Sequence, residues 1–186
     1  MKARLVARGF EQLWTQALTA SPTPSLTTLL ALLTLAIASD SNVNTYDVST
    51  AFLHADVQED VFVMPPPELQ GTPRCPDGHC WKLKKALYGL RTAPLGWNAH
   101  LNAILVDNLG FRRSKADSCL FVHDTRKISL VIYVDDLLLV TNDTATATWF
   151  CKTLSQHVLL KHTGNLTATK SFKFFQDESS LTEATT

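Results

Sequence analysis

Apolar and polar residues follow one another along the chain in patterns that predict three helices and a set of short strands. The most apolar segment, Leu26–Ala38, follows Ser25, a residue type that caps helix N-termini, and it is too short to span a bilayer. We interpret it as a core helix with one apolar face, formed by Leu26, Leu29, Leu30, Leu33 and Ile37.

Strands are predicted where short apolar runs lie between turn residues. These runs are residues 44–48, 61–64, 81–83, 119–123, 128–134, 137–141 and 171–175, and two further helices are predicted at residues 94–109 and 145–160. The proline- and glycine-rich residues 65–79 predict a loop that closes a hairpin. This order predicts an α+β fold, an antiparallel sheet with helices packed on one face.

Composition agrees with a folded domain but gives no overall attraction to nucleic acid. The chain has 186 residues, 45% of them hydrophobic, and a formal net charge of zero. Cations are nevertheless concentrated between Arg74 and Lys115, where eight basic residues face only Asp77 and Asp107. This excess is compatible with phosphate binding or with an ordinary solvated surface.

Four cysteines occur in a sequence whose start does not resemble a signal peptide, which favours a reducing compartment and free thiols. Residues 75–80, CPDGHC, resemble half of a zinc site, but no second pair of ligands stands at a suitable spacing. We expect a turn there, because Pro-Asp-Gly between apolar runs is a turn signature.

Two adjacent aspartates interrupt the apolar residues 128–140, ISLVIYVDDLLLV. Buried side by side, Asp135 and Asp136 would lose hydration and repel each other, so we place them at the turn of a hairpin. An aspartate-rich turn is the simplest interpretation. Asp47 also follows a predicted strand, and three carboxylates converge at one sheet end if the two strands are neighbours. Such carboxylates are ligands that Mg²⁺ prefers, and a pair of these ions promotes in-line phosphoryl displacement.

Five blocks of the sequence carry a family resemblance. They are KARLVARGF at 2–10, YDVSTAFLHADV at 46–57, WKLKKALYGLRTAPLGW at 81–97, LGFRRSKADSCLFVH at 109–123 and YVDD at 133–136. In this order they resemble the reverse transcriptases of copia-type retrotransposons, from about residue 2 to about residue 145.

The resemblance implies a right-hand polymerase fold, with part of the fingers and most of the palm in residues 1–176 and a disordered tail at 177–186. It implies synthesis of DNA on a primed RNA or DNA template from deoxynucleoside triphosphates. Two Mg²⁺ ions, for which Mn²⁺ is a possible substitute, would be held by the catalytic residues Asp47, Asp135 and Asp136 together with the Val48 carbonyl.

The same resemblance implies further site residues. Phe52 matches the aromatic residue under the incoming sugar, where its bulk excludes a ribose 2′-hydroxyl, although it is also compatible with a core aromatic. Lys2 and Arg4 are candidates for the triphosphate or for a solvated strand face, and Gly89 and Arg91 are further candidates near the nucleotide. Template or primer contacts are expected from Lys82, Lys84 and Lys85.

Two departures from the family pattern bear on activity. Thr92 and Leu95 replace an expected Gln and Arg in residues 87–97, LYGLRTAPLGW. We therefore keep an alternative, a truncated and inactive remnant with weak nucleic-acid binding, and a third, an unrelated metal-dependent phosphotransferase. As a fragment without thumb or ribonuclease H, the chain is expected to be flanked in a complete element by integrase and ribonuclease H. No membrane association is expected, and the resemblance implies synthesis in the cytoplasm.

Overall fold

A computed structural model describes residues 5–12, 21–57 and 59–166 of the chain. Its backbone divides into two compact units, one formed by Met1–Ser21 and Thr50–Asn102, the other by Pro22–Ser49 and Ala103–Thr186. The predicted strand at 171–175 and the predicted tail at 177–186 lie outside the described residues. A domain boundary at residue 176 stays a prediction.

A six-stranded antiparallel sheet forms the centre of the second unit. Its strands are β1 (Asn42–Val48), β4 (Arg112–Arg113), β5 (Leu120–His123), β6 (Ile128–Tyr133), β7 (Asp136–Thr141) and β8 (Leu160–Leu166). They lie in the order β4-β5-β6-β7-β1-β8. The predicted α+β class with an antiparallel sheet is confirmed.

Strands β6 and β7 are buried on both faces, which explains why their apolar runs are almost uninterrupted. Helix α1 (Leu26–Ala38) packs on the face that carries Val43 and Val131. Helix α3 (Thr144–Leu154) covers the opposite face, where the Phe150 ring lies 5.8 Å from Tyr46. The prediction that the helices pack on one face is therefore wrong, since strands that are apolar on both sides need a cover on each.

Helix α1 has the predicted bounds, and Ser25 caps it by accepting a hydrogen bond from the Thr28 backbone N–H at 3.0 Å. The predicted apolar face is displaced, because the buried residues are Leu32, Leu33 and Ala36. Three members of the predicted face, Leu26, Leu30 and Ile37, are exposed. Apolar residues surround most of this helix, so its sequence does not single out one face.

Helix α3 ends earlier than predicted, and a strand follows it. The Asp143 carboxylate accepts a hydrogen bond from the Thr146 backbone N–H at 2.7 Å and caps the helix start. The helix ends at Leu154, and residues 160–166, LKHTGNL, pair with β1 as β8. The polar residues and Gly164 in this strand give no alternating pattern, which is why the sequence did not predict it.

The first unit contains the predicted hairpin, in which β2 (Phe62–Val63) pairs antiparallel with β3 (Trp81–Lys82). The predicted turn in its loop is confirmed, since His79 N donates to the Pro76 carbonyl at 3.1 Å and Gly78 has φ +76°.

Helix α2 (Ala93–Ala103) starts in the same unit and buries Trp97 and Leu101. A π-helical turn, Ile104–Asn108, continues it, and Gly110 with φ +77° follows as the predicted stop. No helix in the described ranges is long and apolar enough to cross a membrane.

Candidate active site

One end of the six-stranded sheet carries aspartates on two neighbouring strands. Strands β1 and β7 run antiparallel, and Asp47 lies directly opposite Asp136 in their register. Residues opposite each other in such a pair have Cβ atoms about 5 Å apart, and their side chains leave the same face of the sheet. The condition that the sequence left open, that the two acidic strands are neighbours, is met.

The third aspartate belongs to the turn between β6 and β7, which consists of Val134 and Asp135. The Asp135 carbonyl accepts a hydrogen bond from the Val48 backbone N–H at 2.8 Å. This bond ties the hairpin turn to the end of β1, so backbone contacts fix the two acidic motifs to each other.

Val134 adopts a left-handed backbone conformation with φ +55°. This conformation costs roughly 1–2 kcal/mol for a residue with a Cβ atom, and a β-branched side chain rarely adopts it. A strained turn of this kind persists only where its surroundings hold it, and here two buried strands and the bond from Val48 do so.

Tyr46 anchors the acidic end of β1 on the α3 side of the sheet. Its ring is buried, 5.8 Å from the Phe150 ring and 5.1 Å from the His162 ring between centroids. Burial, followed by the nearby Cys151, raises the pKa of Tyr46 to about 12. Because side chains alternate along a strand, the inward Tyr46 directs the half-buried Asp47 to the α1 side.

The three carboxylates offer hard oxygen donors, which is the chemistry that Mg²⁺ requires. The backbone brings Asp47, Asp135 and Asp136 to one sheet end. Within residues 5–12, 21–57 and 59–166, however, no group of three or more His, Cys, Asp or Glu side chains is placed to hold a metal ion. The donor types and their backbone positions fit a magnesium site, but the side chains are not gathered around one point.

In the first unit, two backbone segments meet without a side chain between them. The Ala7 backbone N–H donates to the Tyr88 carbonyl at 2.7 Å. A Cβ atom on Gly9 would overlap the Gly89 carbonyl, and a Cβ on Gly89 would overlap the Ala7 carbonyl. We call this contact between residues 7–9 and 88–91 the glycine clasp.

Arg91 reinforces the glycine clasp. Its Nε donates to the Gly9 carbonyl at 2.9 Å, its Nη2 donates to the Phe10 carbonyl at 3.3 Å, and its backbone N–H donates to Gln12 Oε1 at 3.1 Å. The predicted nucleotide-binding residues Gly89 and Arg91 are thus placed against the chain's own residues 7–12. Their contact with a nucleotide stays a prediction.

Phe52 lies on a 3₁₀ turn, Ala51–His54, that directly follows the first acidic motif in sequence. Its half-buried ring is 4.7 Å from the Tyr88 ring between centroids, with an interplanar angle of 58°. Tyr88 was not a predicted site residue, and only its position beside Gly89 gave a hint. The candidate triphosphate residues Lys2 and Arg4 lie outside the described residues.

Two of the three predicted template-binding lysines pair with carboxylates in the same unit. Lys82 Nζ lies 2.6 Å from Asp60 Oδ1, and Lys85 Nζ lies 2.7 Å from Asp56 Oδ1. The hydrogen bond from Lys85 lowers the pKa of Asp56 below its ordinary value. Lys84 is exposed. These exposed pairs are weak and screened by salt, so they leave the lysines able to exchange partners.

The amino-acid sequence matches a family model described as reverse transcriptase (RNA-dependent DNA polymerase) over residues 1–184. This chain belongs to the reverse transcriptase family. The resemblance to copia-type elements is confirmed by the relatives that the sequence matches.

Two of these relatives are retrovirus-related Pol polyproteins of transposons RE2 and RE1 from Arabidopsis thaliana. They are 36% and 38% identical to this chain over 87% and 76% of its length, and the match covers 10% of each relative. The Pol polyprotein of transposon TNT 1-94 from Nicotiana tabacum is 33% identical over 76% of this chain and 11% of its own length. The chain thus spans about a tenth of these curated relatives, and no solved structure matches it significantly.

The two departures from the copia-type pattern are both half-buried in this chain. Thr92 stands just before α2, and its carbonyl accepts a hydrogen bond from the Gly96 backbone N–H at 3.0 Å. Leu95 lies in the first turn of α2. Neither residue disturbs the start of the helix. Any effect of the two departures therefore comes from the missing amide at position 92 and the missing guanidinium at position 95.

Asp117, which the sequence did not identify as important, has a structural role. Asp117 accepts hydrogen bonds from the backbone N–H groups of Ser25 at 2.9 Å and Cys119 at 2.8 Å. Burial raises the pKa of Asp117, but hydrogen bonds from the Thr28 side chain and from both backbone groups outweigh it and lower the pKa. The bond to Cys119 is a local turn that the sequence signals, whereas the bond to Ser25 joins residues distant in sequence.

Proposed function

We propose that this chain carries the polymerase active site of a copia-type reverse transcriptase, in a right-hand palm with part of the fingers. In this proposal it extends a primer on an RNA or DNA template with deoxynucleoside triphosphates. The observation that supports it best is the register of β1 and β7, because it sets Asp47 opposite Asp136 beside the turn that carries Asp135.

The chain's own residues have defined tasks in this reaction. Asp47, Asp135 and Asp136 would hold Mg²⁺, which reverse transcriptases generally use, and the Val48 carbonyl would contribute a further oxygen. Two bound ions supply activation of the primer 3′-hydroxyl and stabilisation of the leaving pyrophosphate. The buried strands keep the carboxylates in register, and the bond from Val48 N to the Asp135 carbonyl limits movement of the turn.

The first unit supplies the proposed nucleotide contacts. Phe52 would exclude a ribose 2′-hydroxyl by its bulk, and the Tyr88 ring restricts the positions that the Phe52 ring adopts. Lys2 and Arg4 are the proposed triphosphate contacts, and Gly89 and Arg91 are further proposed residues near the nucleotide. Lys82, Lys84 and Lys85 would bind the template or primer backbone, in a manner that salt weakens.

The direct test is primer extension on an RNA template with Mg²⁺, comparing the wild-type chain with Asp135→Asn. We expect incorporation to fall at least about hundredfold, because removing one charged ligand weakens transition-state charge stabilisation. Asp107→Asn is the matched control, since Asp107 is an exposed carboxylate in the same unit. Equal primer extension by Asp135→Asn and by the wild-type chain would show that Asp135 is not part of the proposed site.

A second candidate function is nucleic-acid binding without catalysis. One observation favours it, namely that Thr92 and Leu95 lack the amide and the positive charge that the copia-type pattern has at these positions. Salt-dependent binding of an RNA/DNA hybrid by the wild-type chain without Mg²⁺-dependent incorporation would support this candidate. Incorporation that depends on Asp135 would exclude it.

The relatives are named as Pol polyproteins, and we propose that integrase and ribonuclease H segments flank this chain in a complete element. A cytoplasmic site of synthesis is likewise proposed from the family resemblance. Sequencing of the reading frame on both sides tests the first proposal directly.

A further inference from the structure

A basic residue lies next to Asp47 on the side of β1 that faces away from β7. Strand β8 lies beyond β1 at the end of the described sheet, and Lys161 is directly opposite Asp47 in the register of these two strands. On its other side, Asp47 lies opposite Asp136. The three residues therefore form one row across three neighbouring strands, with adjacent Cβ atoms about 5 Å apart. The proposed polymerase function gives Lys161 no role.

A contact on the other face of the sheet supports this position of Lys161. The His162 ring lies 5.1 Å from the Tyr46 ring between centroids, on the α3 side. Neighbouring residues of a strand point to opposite faces, so Lys161 leaves the sheet on the α1 side, as Asp47 does. The cation and the carboxylates of the row therefore share one face.

A bulge in the pairing of β1 with β8 determines which face Lys161 occupies. The register shifts by one residue between Thr45 and Tyr46. Without this shift, Lys161 would lie opposite Val48, which is buried and shares the face of Tyr46. Bulges redirect side chains in this way and are over-represented beside active sites. The bulge thus brings a positive charge to the face that carries the aspartates.

The charge of Lys161 is not neutralised by direct contact. Its side chain is exposed, and among the residues that the structure describes it forms no ion pair within 4.0 Å. A lysine carries a compact charge on a flexible four-carbon stem. The ammonium group can therefore approach Asp47 or move away from it at little cost.

A divalent cation bound by the aspartates of the row would lie close to this ammonium group. The ammonium group attracts the carboxylates when they bind no metal ion, and it repels an ion of charge +2 that binds them. This repulsion extends over several ångströms in water and decreases as salt screens it. A lysine at this position therefore competes with the metal ion for the same carboxylates.

We propose that Lys161 lowers the affinity of Asp47 and Asp136 for a divalent cation. The proposal rests on the proposed function, because it takes these two aspartates as metal ligands. Lys161 acts through its charge and is not itself a ligand. It offsets the repulsion between the carboxylates until a metal ion replaces it.

Binding of Mn²⁺ measures the effect directly, because the electron paramagnetic resonance signal of the free ion is lost when the ion binds. For an ammonium group about 6 Å from the ion in water, we expect Lys161→Gln to bind Mn²⁺ about sevenfold more tightly than the wild-type chain at about 0.01 M KCl. At about 0.15 M KCl the gain should fall to about threefold, because the Debye length shortens to about 8 Å.

Two further variants separate the local charge from other effects. Lys161→Arg keeps the charge and is expected to bind Mn²⁺ as the wild-type chain does. Lys152→Gln removes an exposed cation from α3, on the opposite face of the sheet, and is expected to change the Kd for Mn²⁺ less than about twofold. Thermal melting in EDTA checks that each variant folds.

Thermal melting with Mn²⁺ gives a second measure that does not depend on catalysis. An ion that binds only the folded chain raises Tm more when its Kd is lower. We therefore expect Mn²⁺ to raise the Tm of Lys161→Gln more than that of the wild-type chain or of Lys161→Arg.

Equal Mn²⁺ binding by Lys161→Gln and Lys152→Gln would overturn the proposal, because only overall charge would then matter. Weaker binding by Lys161→Gln would also overturn it, since the lysine would then hold Asp47 in place for the ion. A gain that is the same at both salt concentrations would contradict an effect of charge.

Asp47→Asn distinguishes failure of this proposal from failure of the proposed function. Unchanged Mn²⁺ binding by Asp47→Asn would refute the proposed ligands and this proposal together. Weaker binding by Asp47→Asn without tighter binding by Lys161→Gln would refute this proposal alone.

Discussion

The acidic end of the sheet and the glycine clasp both lie in sequence blocks that carry the family resemblance, but they use their residues differently. At the acidic end, strand register and one backbone bond place Asp47, Asp135 and Asp136. In the glycine clasp, Gly89 and Arg91 are occupied with the carbonyl groups of residues 7–10.

A residue that lies in a sequence block shared with the family is therefore not necessarily a substrate contact. The acidic end depends on buried strands for its geometry, so its polar side chains can serve chemistry. The glycine clasp holds two loops together through the Arg91 side chain and through the lack of a side chain at Gly9 and Gly89. Four substitutions test this division, and they are ordered by the size of the expected effect.

Gly89→Ala is expected to have the largest effect on stability. The added methyl group overlaps the Ala7 carbonyl, and residue 89 has a left-handed backbone with φ +90°. We expect the overlap and the backbone strain together to lower the free energy of unfolding by about 3 kcal/mol. Gly78→Ala is the matched control, because Gly78 has φ +76° and nothing within 4 Å of an added Cβ. Its expected cost is about 1 kcal/mol.

Urea unfolding of both variants measures the difference. Equal costs for Gly89→Ala and Gly78→Ala would show that backbone conformation alone, and not the close approach to Ala7, explains the glycine at position 89.

Arg91→Lys should cost about 2 kcal/mol of unfolding free energy, because lysine cannot reproduce the two bonds to the Gly9 and Phe10 carbonyls. Arg8→Lys is the control in the same unit, since Arg8 makes an exposed pair with Glu11 at 3.4 Å and a change below about 0.5 kcal/mol is expected. If Arg91→Lys keeps full stability but raises the KM for deoxynucleotides, Arg91 serves the substrate and not the clasp.

Asp117 tests whether a carboxylate in the second unit is used for structure. Its pKa is lowered in the folded state, so its stabilising effect is complete above the pKa of the unfolded chain and is lost as pH falls towards the folded value. We therefore expect Asp117→Asn to flatten the loss of stability between neutral and acid pH. Thermal melting of both proteins against pH measures this, and equal slopes for Asp117→Asn and wild type would show that the Asp117 charge does not stabilise the fold.

Val134→Gly should give the smallest effect, a gain of up to about 1 kcal/mol, because glycine removes the left-handed strain but adds chain entropy on unfolding. Asp40→Gly is the control just after the end of α1, where φ is +49°. We expect similar stability changes from the two variants but reduced primer extension only from Val134→Gly. A loss of stability at position 134 would mean that packing of the valine side chain outweighs its strain.

Much of the local structure was predictable because it depends on neighbouring residues. Ser25 and the thirteen-residue apolar segment gave the bounds of α1, and Pro-Asp-Gly gave the turn in the loop. The hairpin at Asp135 and Asp136 followed from two apolar runs with aspartates between them.

The structural features that could not be predicted from the sequence depend on contacts between residues that are distant along the chain. Strand β8 forms because it pairs with the edge of β1. Packing against Val43 and Val131 determines which face of α1 is buried. The bond from Ser25 to Asp117 and the clasp at Gly9 and Gly89 join segments far apart along the chain. At the candidate site, the pairing of Asp47 with Asp136 was an expectation conditional on strand order, which no local pattern fixes.

The position of β1 between β7 and β8 also has a consequence for synthesis of the protein. Asn42 pairs with Thr141, and Val43 pairs with Leu166 on the other side, so this strand finds both neighbours only in segments translated much later. At about 5–20 residues per second, the roughly 100 residues to β7 take a ribosome about 5–20 s. Throughout that interval the strand that ends beside Asp47 lacks both of its partners, so we expect nascent chains to depend on chaperones and to misassemble when many are translated together.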